Sequence, residues 1–473
     1  MARNDDIVWD LWDEPVNLPS HVDPVEQHFQ ALKAGIQQQM VESLDRSRIG
    51  ELDRQVLIRH IRHLANDVSR GGNRALSQID QERLLDELMW EVFGMGPLEP
   101  LIRDPAVTDV LVNDPYTVYV ERHGRMELTD VIFADETHLM RIIQRIVARL
   151  GRRIDAVSPM VDARLPDGSR VNAIVPPLAL DGPSLSIRRF GVEALRVHDL
   201  LKFESLVPDI VTFLEAVIEA RIGCLISGGT GSGKTTLLNA LSAFIPMDER
   251  IVTIEDSAEL TLQHRHRVRL ETRPENTEGK GEVSQRDLVR NSLRMRPDRI
   301  LVGEVRGAEV WDMLQAMNTG HDGSMTTIHA NSAYDALARM EMMAALSGID
   351  LPIEVVRNYI AAGIKLVVHL SRLKGGPRKV MHVSEIVGAE DGKYHLEPIF
   401  GFEQQGLNEQ GVATGYFYAT GYRPQLLERI NAYGIDLPDS LFDEGKRYPQ
   451  PAQASDPEEE SDTQNDALEY IIS

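Results

Sequence analysis

Residues 228–236 read GGTGSGKTT, and they give the strongest sequence signal for the fold of the second half of the chain. It satisfies the pattern G-x-x-x-x-G-K-[ST] at four positions, Gly228, Gly233, Lys234 and Thr235. An apolar run, 224–227, precedes it, and a helical pattern, 237–241, follows it. Because strand, glycine-rich loop and helix occur in this order, the stretch predicts a phosphate-binding loop rather than an incidental glycine-rich turn.

Each residue type in this loop has a physical role in holding a nucleoside triphosphate. Glycines let backbone N–H groups turn toward the β-phosphate, and the helix that follows adds the positive end of its dipole. We expect Lys234 to reach the β- and γ-phosphates and the Thr235 hydroxyl to hold Mg²⁺. The candidate nucleotide-binding residues are Gly228, Gly229, Thr230, Gly231, Ser232, Gly233, Lys234, Thr235 and Thr236. The sequence therefore predicts ATP and Mg²⁺ as ligands.

The composition excludes several classes of protein. A chain of 473 residues is too long for one typical domain, which predicts two to four. Its single cysteine, Cys224, excludes an intrachain disulfide and a multi-cysteine zinc site, and it fits a reducing cytoplasm. The net charge of −23 disfavours a basic nucleic-acid surface over the whole molecule, although it does not exclude a local basic pore. We find no signal-peptide core and no apolar run of about 20 residues, so we expect contact with a membrane only through partner proteins.

The composition and the spacing of apolar residues change along the chain. We predict a disordered acidic arm at 1–22, a helical bundle at 23–92, a mixed α/β domain at 93–205, a series of alternating strands and helices at 206–374, a C-terminal region at 375–449 and a disordered acidic tail at 450–473. Alternation of strand and helix argues for a parallel sheet with helices on both faces. The predicted fold class is therefore α/β.

Two strands after the phosphate loop end in carboxylates. The first, in the stretch IVTIEDSAE at 251–259, leads to Glu259, and the second, in DRILVGE at 298–304, leads to Glu304. Parallel strands deliver such side chains to the edge of the sheet where ligands bind. Glu304 is the candidate to polarise the attacking water or to hold Mg²⁺ through water. The alternative interpretation is that each acid caps a helix N-terminus.

A third strand carries histidines at both ends. The stretch GHDGSMTTIHAN at 320–331 places His321 before the strand and His329 at its end. His329 is positioned to hydrogen-bond the γ-phosphate and respond to its loss. The alternative is a histidine of the core, and a metal site is disfavoured because cysteines are missing.

Four blocks of sequence, in order, resemble the secretion-ATPase superfamily that drives type II and type IV secretion and type IV pili. They are GGTGSGKTT, IEDSAE, RMRPDRILVGEVRG and GHDGSMTTIHANS, which match the blocks named Walker A, Asp box, Walker B and His box in that superfamily. The resemblance covers roughly residues 95–375. It implies a RecA-like P-loop core, preceded by a mixed α/β, PAS-like domain and an N-terminal helical bundle.

Within the superfamily, the chain is most similar to the CpaF/TadA family of tight-adherence (Flp) pilus assembly ATPases. The stretches LGRRIDAVSPMVDARLPDGSRVNAIVPP and LSIRRF carry this similarity. Type II secretion ATPases usually have a tetracysteine zinc module, which one cysteine cannot form. A type IV secretion ATPase remains the alternative because its motifs are nearly the same.

The resemblance also implies roles for single residues. Glu304 would be the catalytic glutamate and Glu259 the Asp-box carboxylate. Lys234 would bind the phosphates and His329 would sense the γ-phosphate. Two arginines of the mixed α/β domain, Arg170 and Arg188, match arginines that clamp the phosphates from the other side of a cleft. Open alternatives are that Arg170 is a solvated turn residue, that Arg189 faces the nucleotide in place of Arg188, and that any of Arg294, Arg296 and Arg306 faces a neighbouring subunit.

The implied function is a homo-hexameric ATPase that drives pilus assembly, or retraction, through an inner-membrane platform. We expect a cytoplasmic protein at the inner membrane and no nucleic-acid partner. The alternatives are a type IV secretion ATPase that exports DNA or effector proteins, a nucleic-acid translocase and a non-hydrolysing scaffold. The acidic charge and the absence of an aromatic or basic platform for single strands disfavour the translocase. The joint presence of Glu259, Glu304 and His329 disfavours the scaffold.

Overall fold

The computed structural model describes residues 78–448, apart from 123, 190–194, 274, 276–279 and 349, together with Arg59 and His63. The acidic arm at 1–22, the acidic tail at 450–473 and most of the helical bundle at 23–92 lie outside these residues. The chain divides into two compact units between residues 193 and 194.

The first unit contains an antiparallel sheet packed against helices. Its described elements are α1 (Gln78–Phe93), α2 (Glu99–Arg103), β1 (Val107–Asp114), β2 (Thr117–Arg122), β3 (Arg125–Leu128), α3 (Glu136–Arg149), β4 (Met160–Arg164), β5 (Arg170–Ile174) and β6 (Ser184–Arg188). The strand order is β3-β2-β1-β6-β5-β4.

One face of this sheet forms the core of the first unit. Buried and exposed residues alternate along β5 and β6, because successive side chains in a strand point to opposite faces. The buried set, which includes Val171 and Ile187, packs in one cluster with Ile142 and Ile143 of α3. The other face carries exposed residues, among them the arginine that starts β5.

The second unit alternates strands and helices before it turns to long antiparallel strands. Its described elements are α4 (Val197–Lys202), α5 (Pro208–Glu219), β7 (Cys224–Gly228), α6 (Lys234–Leu241), β8 (Ile251–Glu255), β9 (Arg267–Glu271), α7 (Gln285–Ser292), β10 (Arg299–Val302), α8 (Glu309–Met317), β11 (Met325–His329), α9 (Ala333–Ala345), α10 (Ile353–Gly363), β12 (Leu366–Arg372), β13 (Arg378–Glu390), β14 (Lys393–Leu407), β15 (Ala413–Ala419), α11 (Leu426–Ala432) and β16 (Arg447–Tyr448). Single 3₁₀ turns occur at Gly96–Leu98, Ser242–Phe244 and Asp439–Phe442.

The sheet of the second unit has the order β16-β15-β14-β13-β12-β7-β11-β10-β8-β9. The strands from β12 to β9 in this order pair in parallel, and β13 to β16 extend the same sheet in antiparallel fashion. Separate hydrophobic clusters form from helices and strands of this unit, with Leu237 and Leu238 of α6 in one and Val310 and Leu314 of α8 in the other. The predicted α/β fold class with a RecA-like parallel core is confirmed.

The parallel strands bring three polar chain segments to one edge of the sheet. β7, β8, β10 and β11 all run in the same direction, so their carboxyl ends meet there. β7 ends at the phosphate loop, β8 ends at Glu255, and β11 ends at His329. Within the described residues, no helix has the length and apolar character needed to cross a membrane.

Candidate nucleotide site

The phosphate loop connects β7 to α6 through backbone conformations that glycine favours. Gly231 has φ +68° and Gly233, the residue before α6, has φ +95°, both in the left-handed region. At Gly228 the limit is space, because a Cβ would stand 2.6 Å from Ser232 Oγ and closer still to the carbonyl oxygen of Leu370. The glycines of the sequence motif are therefore required by this loop geometry.

Lys234 points back over the loop from the first turn of α6. Its side chain is largely buried, and its Nζ donates to Gly229 O over 2.9 Å. The Nζ also lies 3.4 Å from each ring nitrogen of His329. Ser232 Oγ donates to the same carbonyl of Gly229 over 2.9 Å. The ammonium group and the Ser232 hydroxyl thus converge on the carbonyl oxygen of Gly229, as such donors would converge on a phosphate oxygen.

The other candidate residues of the loop differ in exposure. Gly229 and Thr230 are exposed, whereas Thr235 and Thr236 lie half-buried in the first turn of α6. The helix N-terminus adds unsatisfied N–H groups and a partial positive charge at the same place.

Glu304 lies two residues beyond the end of β10, and its carboxylate contacts the side chains of His329 and Arg306. Its Oε1 is 3.2 Å from His329 Nε2, and its Oε2 accepts a hydrogen bond of 2.8 Å from Arg306. The backbone carbonyl of Glu304 accepts a hydrogen bond of 2.9 Å from the buried amide of Gln285. The carboxylate predicted to be catalytic is therefore within reach of the histidine that contacts Lys234.

The pKa of His329 is lowered from its ordinary value of 6.5, first because the ring is partly buried. The positive charges of Lys234 and Arg306 act in the same direction, and the carboxylate of Glu304 opposes them. The ring is therefore neutral near pH 7, with one nitrogen as a donor and the other as an acceptor.

Glu255, the last residue of β8, is a further candidate site residue that was not predicted from the sequence. Its carboxyl group is buried, and its Oε1 accepts hydrogen bonds of 2.8 Å from the backbone N–H groups of Glu259 and Leu260. Its Oε2 has no hydrogen-bond partner in the described part of the chain. Burial raises the pKa of Glu255 to about 7. A Cβ on Gly303 would stand 2.8 Å from Glu255 Cγ, so this carboxyl packs directly beside the Glu304 segment.

The Asp-box residue Glu259 is itself exposed and bound to Glu255 through its backbone. Its negative charge helps to raise the pKa of Arg306, although the hydrogen bond from Arg306 to Glu304 is the largest cause of that rise. Of the three arginines considered around Glu304, the structure brings Arg306 to the carboxylate, while Arg294 and Arg296 are exposed.

His321 is separated from this site by the length of β11. It precedes the strand, and its Nδ1 lies 3.3 Å from Ala316 O. The structure thus places His329, and not His321, at the edge with the phosphate loop.

Arg170 and Arg188 lie in the first unit, at paired positions of β5 and β6. Both are exposed on the open face of that sheet, where Arg170 Nε donates to Asp162 over 3.0 Å and Arg188 Nε lies 3.6 Å from Asp109. The neighbouring Arg189 instead donates to backbone carbonyls, one of them that of Val107 at 3.0 Å. The open face therefore presents Arg188 rather than Arg189.

The donors around the phosphate loop suit Mg²⁺ better than a transition metal. Within the described residues, no group of three or more His, Cys, Asp or Glu side chains could hold a metal ion. A hydroxyl from Thr235 and a carboxylate from Glu304 are hard oxygen donors, and Mg²⁺ commonly completes its shell with phosphate oxygens and water.

Comparison with known proteins agrees with the motifs. The family model described as Type II/IV secretion system protein matches residues 91–390. A Mycobacterium tuberculosis protein named for conjugal transfer is 42% identical over 297 residues, which cover 62% of this chain and 84% of that protein. The type IV secretion system protein VirB11 of Brucella suis is 32% identical over 305 residues, covering 59% of this chain and 84% of the relative.

Among solved structures, the pilus retraction motor PilT with bound ADP is similar at 22% identity and a TM-score of 0.43, over 60% of this chain and 80% of that chain. The family match spans more than half of the chain. The chain therefore belongs to the Type II/IV secretion system protein family, the secretion-ATPase superfamily that its four sequence blocks resemble.

Proposed function

We propose that this chain binds and hydrolyses ATP at the carboxyl edge of its parallel sheet. The observation that carries the proposal is the connected set of Lys234, His329 and Glu304, in which Lys234 Nζ lies 3.4 Å from His329 and His329 lies 3.2 Å from Glu304. One end of this set lies at the phosphate loop, and the other is the carboxylate that we assign to the attacking water. Membership of the Type II/IV secretion system protein family supports the same chemistry.

Each residue then has a defined role. Lys234 binds the β- and γ-phosphates and offsets the charge that develops as the γ-phosphoryl group leaves. Glu304 orients the attacking water and accepts its proton. His329, neutral at pH 7, donates to the γ-phosphate and loses this partner after hydrolysis. Bound Mg²⁺, held by Thr235 and through water by Glu304, would neutralise phosphate charge. Arg306 fixes the orientation of the Glu304 carboxylate.

The proposed biological role is a homo-hexameric motor at the inner membrane that assembles, or retracts, a tight-adherence pilus. The stretches of the first unit that resemble the CpaF/TadA family support this choice. ATP-driven motion of domains would do the mechanical work on membrane platform proteins. Arg170 and Arg188 would supply the guanidinium groups that link nucleotide state to the position of the first unit.

A type IV secretion ATPase is the second candidate. The relatives named for conjugal transfer and for the Brucella suis type IV secretion system favour it. The two candidates share the proposed chemistry. They differ in what the motor drives, which is assembly or retraction of a pilus in one and export of DNA or effector proteins in the other.

Steady-state ATP turnover by the purified full chain, with and without single-stranded DNA, tests the proposal together with sizing by light scattering. Mg²⁺-dependent turnover in a hexamer-sized particle, unchanged by DNA, supports the motor. Strong stimulation by DNA overturns it in favour of a nucleic-acid translocase. Deletion of the gene, scored for pili and for transfer of DNA or effectors, separates the pilus motor from the secretion ATPase.

A further inference from the structure

A side chain from the C-terminal part of the sheet contacts the phosphate loop. Arg378 begins β13, and its Nε donates to the carbonyl oxygen of Gly231 over 2.8 Å. Its Cδ lies 3.5 Å from the place where a Cβ on Gly233 would stand. Arg372 ends β12 directly opposite Arg378, and its Nη1 lies 3.4 Å from the corresponding point on Gly231. Two guanidinium groups therefore lie against the loop.

These arginines approach the loop from the side opposite to the catalytic acid. In the sheet, β7 lies between β11 and β12. His329 ends β11 and pairs with Glu304, whereas Arg372 ends β12. The loop that follows β7 is thus bounded by the reacting groups on one side and by guanidinium groups on the other.

The contact with Gly231 has a consequence for the next residue. The carbonyl of Gly231 and the N–H of Ser232 belong to one planar trans peptide, so they point in opposite directions. The N–H of Ser232 points to Gly229 O at 3.4 Å, and Lys234 Nζ donates to that same oxygen over 2.9 Å. The inner side of the loop is therefore the side of Lys234 and Ser232 N–H, and Arg378 binds the peptide from the outer side.

Arg378 can hold the Gly231 carbonyl in place because backbone hydrogen bonds fix the hairpin of β12 and β13 that carries it. Leu373 N donates to Pro377 O over 2.7 Å, which closes the turn between β12 and β13. Ala413 N donates to Lys374 O over 2.9 Å, which ties the turn to the next strand pair. A donor on a rigid support loses little conformational freedom when it holds the loop.

We propose that Arg378 is a positioning residue of the nucleotide site. It orients the Gly231–Ser232 peptide so that the Ser232 N–H faces the phosphates of a nucleoside di- or triphosphate, and Arg372 adds positive charge on the same side. This inference rests on the proposed function, because it assumes that the loop holds a nucleotide. Since the contact lies away from Glu304, it strengthens binding of ADP and ATP alike and leaves the chemical step unchanged.

The test compares full-length wild type with Arg378→Met, which keeps an unbranched apolar stem and removes the donors. Calorimetry with ADP and with a non-hydrolysable ATP analogue gives the two dissociation constants. We expect both to rise about tenfold, because a charge-assisted hydrogen bond that orders the loop is lost. The value of kcat at saturating ATP should stay within about twofold of wild type while KM rises. Arg423→Met, which removes an exposed arginine paired with Asp439, is the matched control and should change neither constant.

Thermal unfolding without nucleotide separates positioning from folding. If Arg378→Met lowers the midpoint, Arg378→Lys decides, because lysine keeps the charge but cannot reproduce the planar Nε donor. Raised dissociation constants in that folded variant support the proposal. Unchanged dissociation constants, or a fall in kcat with binding intact, overturn it. Failure of wild type itself to bind either nucleotide would instead contradict the proposed function.

Discussion

His329 Nε2 lies 3.2 Å from Glu304 Oε1, so the histidine that ends β11 meets the carboxylate that follows β10. The same ring nitrogen lies 3.4 Å from Lys234 Nζ. One imidazole thus links the phosphate-loop lysine to the proposed catalytic acid. We propose that a side chain in this place senses whether a γ-phosphate is present, because it contacts both Lys234 and Glu304.

Lys234→Met should remove nucleotide binding while leaving the fold intact. The side chain is largely buried and its charge is stabilised within the loop by Gly229 O, so the methionine variant replaces a costly buried charge. We expect affinity for ATP to fall at least about a hundredfold, because Coulomb attraction to the phosphates is lost. Calorimetry measures the loss, with Lys393→Met at an exposed position as control. Retained affinity in Lys234→Met would contradict the assignment.

Glu255→Gln should stabilise the protein increasingly as the pH rises. Burial raises the pKa of Glu255 from 4.5 to about 7, so the folded state binds more protons than the unfolded state between these values. Stability of wild type therefore falls as the pH rises through this window, and above it the cost reaches up to about 3 kcal/mol. Glutamine keeps an oxygen acceptor for the backbone N–H groups of Glu259 and Leu260.

Urea unfolding of wild type and Glu255→Gln at about pH 5 and about pH 8 measures this difference. Glu255→Gln should be more stable than wild type only at the higher pH. An equal difference in stability at both pH values would show that Glu255 is ionised in the folded protein.

His369→Asn should show the opposite pH dependence. His369 is buried in β12, where Ser227 Oγ lies 2.9 Å from its Nδ1, and burial lowers its pKa from 6.5 to about 4. Between these values the unfolded state binds more protons, so wild type loses stability as the pH falls. The loss between pH 6.5 and 5 is about 2 kcal/mol from one such group.

The variant lacks this titrating group, so its stability relative to wild type should improve by the same amount over that pH interval. Denaturant titrations at the two pH values report the change. A stability difference that stays constant from pH 6.5 to 5 would count against a neutral buried His369.

Arg170→Ala and Arg188→Ala should slow turnover without abolishing ATP binding. Both guanidinium groups are exposed on the first unit, so their loss should not disturb its core. If they stabilise charge on the leaving phosphoryl group, kcat should fall by about tenfold or more while the ATP dissociation constant changes little. Arg125→Ala, at another exposed arginine of this unit, is the control. An unchanged kcat in both variants would show that neither arginine takes part in turnover.

The sequence predicted the parts of the site that are local in the chain. The phosphate loop is set by glycines within nine residues, and Glu304 and His329 each follow a short apolar strand whose end marks the ligand edge. Parallel pairing of these strands then brings the two side chains together. The superfamily and the fold class are confirmed, whereas the narrower CpaF/TadA assignment and the domain boundaries stay predictions.

Contacts between distant parts of the chain could not be predicted in this way. Arg378 and Gly231 are 147 positions apart, and no local pattern marks their hydrogen bond. Glu255 was missed because its neighbour Glu259 fits the motif, although a carboxylate at the end of a wholly buried strand was a usable signal. His369 stands alone among apolar residues of β12, and such a residue requires a buried partner that the sequence does not name.

Hydrolysis of ATP at this edge of the sheet is best tested by phosphate release from MgATP by wild type and by Glu304→Gln. We expect Glu304→Gln to bind ATP as well as wild type but to turn it over at least about a hundredfold more slowly, because the group that accepts the proton of the attacking water is lost. Turnover by Glu304→Gln at the wild-type rate would contradict the proposed ATPase mechanism.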